Sequence, residues 1–264
     1  MVDIIELFHF PKLSYRVWKV WMRNKDVFMK TYKTNFLPSL LEPVLYLLAL
    51  GFGLGGFIQP IDGQPYIQFF APALVAVSMM FSSFYECTFA SFVRMYFQKT
   101  FDAIIATPVS IEEVITGEIL WGATKSLINS SIVLGVIVVF GVPFTPLFFL
   151  IPPLSFLIGM LFSSLAMCFT AIVPNIDSFS YPNFLYITPM FLLSGTFFPL
   201  TSMPELLQIL GQIFLPLTNA VIVIRSLASG NVQFSILLNF AWILIVTPIF
   251  FVLSINLMKK RLIK

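Results

Sequence analysis

Residues 126–176 read SLINSSIVLGVIVVFGVPFTPLFFLIPPLSFLIGMLFSSLAMCFTAIVPNI, without one Asp, Glu, Lys or Arg. A helix needs about 20 apolar residues to cross a hydrocarbon core of about 30 Å, so this run is long enough for two crossings. The turn-forming group Gly141-Val142-Pro143-Phe144-Thr145-Pro146 divides it. Inside lipid every backbone amide needs a partner from the chain itself, which leaves helices or a closed barrel. The apolar residues are continuous rather than alternating, and continuity selects helices.

The same reading extends in both directions. Residues 43–61, 63–85, 178–204 and 226–258 also lack charge. Of the 264 residues, 58% are hydrophobic and only 10% charged, where a soluble domain carries roughly 25% charged side chains. Too few polar groups are present to coat a water-soluble body. The fold class expected is an all-α polytopic membrane protein forming one domain over 1–264, with six transmembrane helices at 36–57, 66–93, 111–140, 147–173, 181–198 and 234–258. Ser110 and Glu113 form a capping-box signature at the start of the third span. Residues 206–217 are apolar but too short to cross, and Gly211 and Pro216 interrupt them. Residues 201–224 therefore read as a re-entrant helical hairpin on the outer side, ahead of the last span.

Basic residues set the orientation. Lys12, Arg16, Lys19, Arg23, Lys25, Lys30 and Lys33 precede the first span, Arg94 and Lys99 follow the second, and Lys259, Lys260, Arg261 and Lys264 follow the sixth. Six spans put all of these on one side, so both termini are expected to be cytoplasmic, in the cytoplasmic (inner) membrane. Arg225 alone is a candidate for the other side. The first thirty residues have no apolar core of signal-peptide length, so no secretory signal is expected.

Lys12, Arg16, Lys19 and Arg23 fall on one helical stripe, opposite Leu13, Val17, Val20 and Trp21. This predicts an amphipathic interface helix over 12–23. In the loop after the second span, Lys99-Thr100-Phe101-Asp102-Ala103-Ile104-Ile105-Ala106 has length for two helical turns before Thr107-Pro108. Phe101, Ile104 and Ile105 would then present an apolar face outside the bilayer, which calls for a protein partner. The competing reading tucks them against the span ends.

Ionisable side chains inside the spans cost about 2.5–3.5 kcal/mol each at mid-bilayer, so Glu42, Glu86, Glu118 and Lys125 are expected to face protein or water. Glu42, Glu118 and Lys125 read as structural polar residues, Glu118 and Lys125 pairing across helices rather than with each other. Glu86 lies near Phe81, Phe84 and Tyr85, and these four are the candidates for a substrate path.

Other motifs carry no chemistry. Gly51-Phe52-Gly53-Leu54-Gly55-Gly56 matches a dinucleotide fingerprint but follows an apolar helix rather than a strand. Residues 117–126 place Gly117, Gly122, Lys125 and Ser126 two residues out of register for a phosphate-binding loop. No catalytic cluster is present. His9 is the sole histidine, and Cys87 and Cys168 lie far apart in apolar segments, so neither a metal site nor a disulfide is expected.

Several stretches resemble the type-2 ABC exporter permeases, most closely the nodulation protein J branch, which exports lipo-oligosaccharides. They are Glu42-Pro43-Val44-Leu45-Tyr46-Leu47 with the glycines 51–56, Phe92-Val93-Arg94-Met95, Gly117-Glu118-Ile119-Leu120-Trp121, and Ile187 through Pro199 (ITPMFLLSGTFFP). The resemblance runs in order along nearly the whole chain. It implies a homodimer of permeases with two copies of a cytosolic ABC ATPase subunit, which alone binds ATP and Mg. It also implies that 12–23 is the interface helix and that 99–106 is a coupling helix entering a groove of the ATPase. Under this reading the chain is no enzyme, and its cargo is an amphipathic or lipid-linked glycan. The alternatives are a drug or antibiotic permease of the same superfamily and, from another class, an ion-coupled secondary transporter.

Overall fold

The computed structural model describes residues 9–263 apart from Asp62 and Phe144. It is all-helical. In chain order α1 is Val17–Lys30, α2 Tyr32–Tyr46, α3 Tyr66–Tyr85, α4 Thr100–Ile105, α5 Ile111–Val139, α6 Ile151–Ile172, α7 Ser180–Pro182, α8 Thr188–Leu193, α9 Glu205–Phe214, α10 Pro216–Ser229 and α11 Phe234–Leu262.

Several helices continue through wider π-helical turns. α2 runs on through Leu47–Leu54, and α3 runs on through Glu86–Ala90 and Val93–Phe97. Backbone bonds five residues apart mark these turns, Gly55 to Leu50 at 3.1 Å and Gln98 to Val93 at 2.9 Å. Each such turn rotates the following side chains relative to a regular helix.

Four helical stretches are long and apolar enough to cross a membrane, Tyr66–Phe97, Ile111–Val139, Pro146–Ile172 and Ile236–Leu262. α9 and α10, bent by 93° at Leu215, would make a fifth if counted as one span. These four occupy the spans expected at 66–93, 111–140, 147–173 and 234–258. The other two expected spans are shorter. Ser39–Leu54 is the apolar helix in the first region. In the 181–198 region helix ends at Leu193, and Gly195 turns the chain with φ +72°. Pro182 and Pro189 lie within that stretch, and each removes a backbone donor.

The re-entrant expectation for 201–224 falls on α9 and α10, the latter reaching Ser229. Leu215 is extended (φ −109°, ψ 96°) ahead of Pro216, which opens α10, the preference a residue before proline has. Arg225 then anchors α10. Its guanidinium donates to the carbonyls of Gly195 (2.9 Å) and Phe69 (3.2 Å), and it lies 3.7 Å from the Phe69 ring centroid.

At the opposite end the C-terminal basic residues tie helices together. Lys259 pairs with Glu112 at 2.6 Å, and Arg261 donates to the carbonyls of Val173 (2.6 Å) and Thr170 at the end of α6. Cations at a helix C-terminus satisfy its last carbonyls. The capping box at the start of α5 is formed, Glu113 N–H donating to Ser110 Oγ at 3.2 Å and Ser110 N–H to Glu113 at 2.8 Å.

Helices α3, α5 and α6 pack through small residues. A Cβ on Gly159 would sit 2.5 Å from that of Ser126, and one on Gly122 would sit 2.7 Å from Cys87 Sγ. Close backbone approach of this kind is the usual basis of helix association in lipid. Gly159→Val is expected to cost about 1–3 kcal/mol through overpacking, read as a lower thermal midpoint of the purified protein in detergent. Gly135→Ala, whose Cβ would meet nothing within 4 Å, should hold or raise the midpoint, since alanine favours a helix interior over glycine by about 0.5–1 kcal/mol.

Candidate functional site

α1, α2, α3 with its π-helical extension, and α5 enclose a cavity of about 880 Å³. One wall is aromatic, formed by Tyr46, Phe81, Tyr85 and Phe89. The other is charged, with Arg23, Glu86, Arg94 and Lys125 reaching it.

The charged wall is one connected network. Glu118 is fully enclosed and accepts from Arg94 Nη2 (2.6 Å) and Nε (2.9 Å), Ser91 Oγ (3.0 Å) and Asn24 Nδ2 (2.8 Å). Arg94 Nη1 donates to Glu86 at 2.8 Å, and Lys125 pairs with the other oxygen of Glu86 at 3.6 Å. Arg94 therefore forks onto one carboxylate and bridges to a second, a geometry a guanidinium has and an ammonium lacks. The Lys125 ammonium also lies 4.6 Å from the Phe28 ring centroid.

α1 is fastened to α5 by aromatic contacts. Trp18 stacks on Trp21 at 4.1 Å, Trp21 and Phe28 both meet Trp121 edge-on, and Trp21 Nε1 donates to Thr124 at 2.9 Å. Arg23 leaves this surface and turns inward. It donates to Asn24 at 3.0 Å and to Thr100, the first residue of α4, at 3.5 Å.

The residues singled out in the sequence divide between the cavity, its margin and the packed interior. Glu42, Phe81, Tyr85, Glu86 and Lys125 line the cavity, with Glu118 directly behind it. Phe84 does not. It is fully buried and meets Phe169 at 6.1 Å, because it lies on the α3 face turned toward α6. The basic stripe expected over one helix from 12 to 23 is split, since α1 begins only at Val17. Lys12 N–H donates to Glu112 at 2.6 Å, Ser14 donates to Glu113, and Arg16 donates to the Pro108 carbonyl. These contacts hold 12–16 against the start of α5, while Lys19 is exposed and Arg23 faces inward.

The loop 99–106 folds as the short helix α4, and here the expected apolar docking face is corrected. Phe101 is fully buried, and Ile104 and Ile105 pack against the same core. The loop lies close enough to the span ends for the core to absorb that face. What α4 exposes is Lys99, Asp102 and Ala103, beside Tyr96 and Phe97. Lys99 holds a left-handed φ of 53°, the sole positive φ of a non-glycine among the described residues. The residues 117–126 lie inside α5, where backbone amides are already committed to the helix. Sequence reasoning missed Arg94, Asn24 and Trp121. Arg94 had one available signal, its place eight residues after an embedded acid on the same helix.

The sequence profile described as ABC-2 type transporter matches residues 15–229. The chain belongs to that family. Among its relatives, Nodulation protein J of Sinorhizobium fredii (strain NBRC 101917 / NGR234) is 34% identical over 244 residues, covering 92% of this chain and 93% of the relative. Nodulation protein J of Rhizobium meliloti (strain 1021) is 35% identical, with 92% of each chain covered. The Inner membrane transport permease YadH of Escherichia coli (strain K12) is 25% identical over 190 residues, 72% of this chain and 73% of that one. No solved structure matches. The chain is thus an ABC-2 type multi-pass membrane protein.

Arg94→Met leaves the enclosed Glu118 carboxylate without its ion pair, and breaking such a pair costs about 3–5 kcal/mol. Unfolding by SDS titration is expected to show that loss. Arg94→Lys should recover part of it and not all, since the fork is lost.

Proposed function

We propose that this chain is the transmembrane permease subunit of an ATP-driven exporter. Its cargo is an amphipathic, sugar-bearing lipid, which it moves outward across the cytoplasmic membrane. In this reading Ser39–Leu54 and the segment 180–193 complete six crossings, both termini lie in the cytoplasm, and two copies of the chain work with two ATPase subunits. ATP and Mg bind the partner, for this chain offers no phosphate-binding loop.

One observation carries the reading within the family: α4 is joined to the cavity lining by the Arg23 side chain and by the backbone that runs from Arg94 to Lys99. Arg94 lines the cavity five residues ahead of Lys99, and Arg23 bonds to Thr100 while also lining the cavity. A push on α4 thus reaches the cavity through side chains with definite partners. The aromatic wall suits a sugar ring by stacking and an acyl chain by apolar contact. The exposed residues Lys99, Asp102 and Ala103 make up the surface offered to the ATPase, and Phe101, Ile104 and Ile105 hold α4 in place from beneath. α1 is the interface helix, with Lys19 toward lipid headgroups.

Two substitutions separate docking from anchoring. Asp102→Lys is expected to abolish export of a lipo-oligosaccharide by the assembled complex while leaving the thermal midpoint of the permease unchanged. Phe101→Ala is expected to lower stability by about 3–5 kcal/mol. Unchanged export in the Asp102→Lys complex would overturn the docking role. Stimulation of ATP hydrolysis by a hydrophobic drug and not by glycolipid would move the cargo to the drug class.

A further inference from the structure

The cavity holds one carboxylate that the network does not use. Glu86 and Glu118 are engaged by Arg94 and Lys125. Glu42, on α2, also lines the cavity, yet among the described residues it has neither an ion pair nor a hydrogen bond. Tyr46, one turn further along α2, and Tyr85 on α3 both lie within its electrostatic reach. A carboxylate set in an apolar helix is costly unless something favourable faces it. It is acceptor-only when ionised, so what it favours is an O–H or N–H donor.

The cations around the cavity are occupied. Arg94 and Lys125 face carboxylates, and Arg23 spends donors on Asn24 and Thr100 within the field of Glu118. Phe81, Val77 and Val133 also line the cavity and supply apolar surface. We infer that Glu42 is the head-group selector of this cavity, accepting from the hydroxyl or amine of a neutral or cationic polar head and excluding anionic heads. The inference rests on the reading of the cavity as the cargo's way in, and it adds which heads are admitted.

The full chain in phosphatidylcholine vesicles supplies the test. Three photoactivatable amphiphiles would share one diazirine-bearing alkyl chain and differ in the head: a glucoside, a primary ammonium or a phosphate monoester. Cross-links would be mapped by mass spectrometry to Val77 and Phe81. In the wild type the glucoside and ammonium probes are expected to label this wall at least about tenfold more than the phosphate probe, the scale of one charge-assisted hydrogen bond. Glu42→Gln should keep glucoside labelling and lose the ammonium preference, since an amide still accepts and donates. Glu42→Arg should turn the preference toward phosphate. Glu42 lines the cavity, is exposed and is bonded to nothing described, so neither change removes a hydrogen bond or an ion pair.

Equal labelling by the three heads, labelling profiles in the variants that match the wild type, or no cross-link at the cavity wall would each overturn the selector role. None of these measurements needs ATP or the partner subunit. A complex that exports no glycolipid while the chain still discriminates heads overturns the exporter reading and leaves the selector. Intact export with discrimination absent does the reverse.

Discussion

The enclosed carboxylate of Glu118 constrains three parts of the chain at once. Removing such a group from water costs several kcal/mol unless close donors surround it. Here the donors come from Asn24 on α1, from Ser91 and Arg94 on the extension of α3, and from nowhere on α5 itself. α1, the extended α3 and α5 are therefore held to one point. The floor of the cavity, the approach to α4 and the docking of α1 on α5 follow from that point.

The π-helical turns between Glu86 and Arg94 belong to the same constraint. In a regular helix residues eight apart are about 80° apart around the axis and about 12 Å apart along it. Glu86 opens one stretch of wider turns and Arg94 lies in the next, and from there Arg94 spans Glu86 and Glu118 together. A helix widened at a functional position is the usual context for such turns. The cavity lining consequently combines charged side chains tied into one network, aromatic side chains, and Glu42, which has no partner among the described residues. The cavity thus offers both polar and apolar surface.

Much of the scaffold was legible in the residues. Charge-free runs located the four long helices because lipid admits no unsatisfied backbone, and Ser110 with Glu113 marked the start of α5 through a local bond. The bend at Leu215-Pro216 was visible as a short apolar run ending in proline. Less legible was anything that depends on what lies opposite. Phe101 reads as an exposed anchor when α4 is considered alone, and the core beneath makes it a buried one. Residues 12–16 have helical periodicity, but bonds to Glu112, Glu113 and Pro108 draw them off the helix. Arg94 reads as a loop charge that sets topology, whereas it lies on the extension of α3 and bonds to two enclosed acids.

The sequence by itself determined that this is a helical membrane protein, where its long helices lie, and that it carries acids within them that need partners. Composition and local bonding suffice for that, because the bilayer enforces helices wherever charge is absent. Only the tertiary structure decided which charges meet, which aromatic residues face the cavity and which carboxylate is left over. Those outcomes turn on helix phase and on packing between segments far apart in the chain. A single widened turn or a glycine contact shifts them without leaving any sign in the pattern of hydrophobic and polar residues.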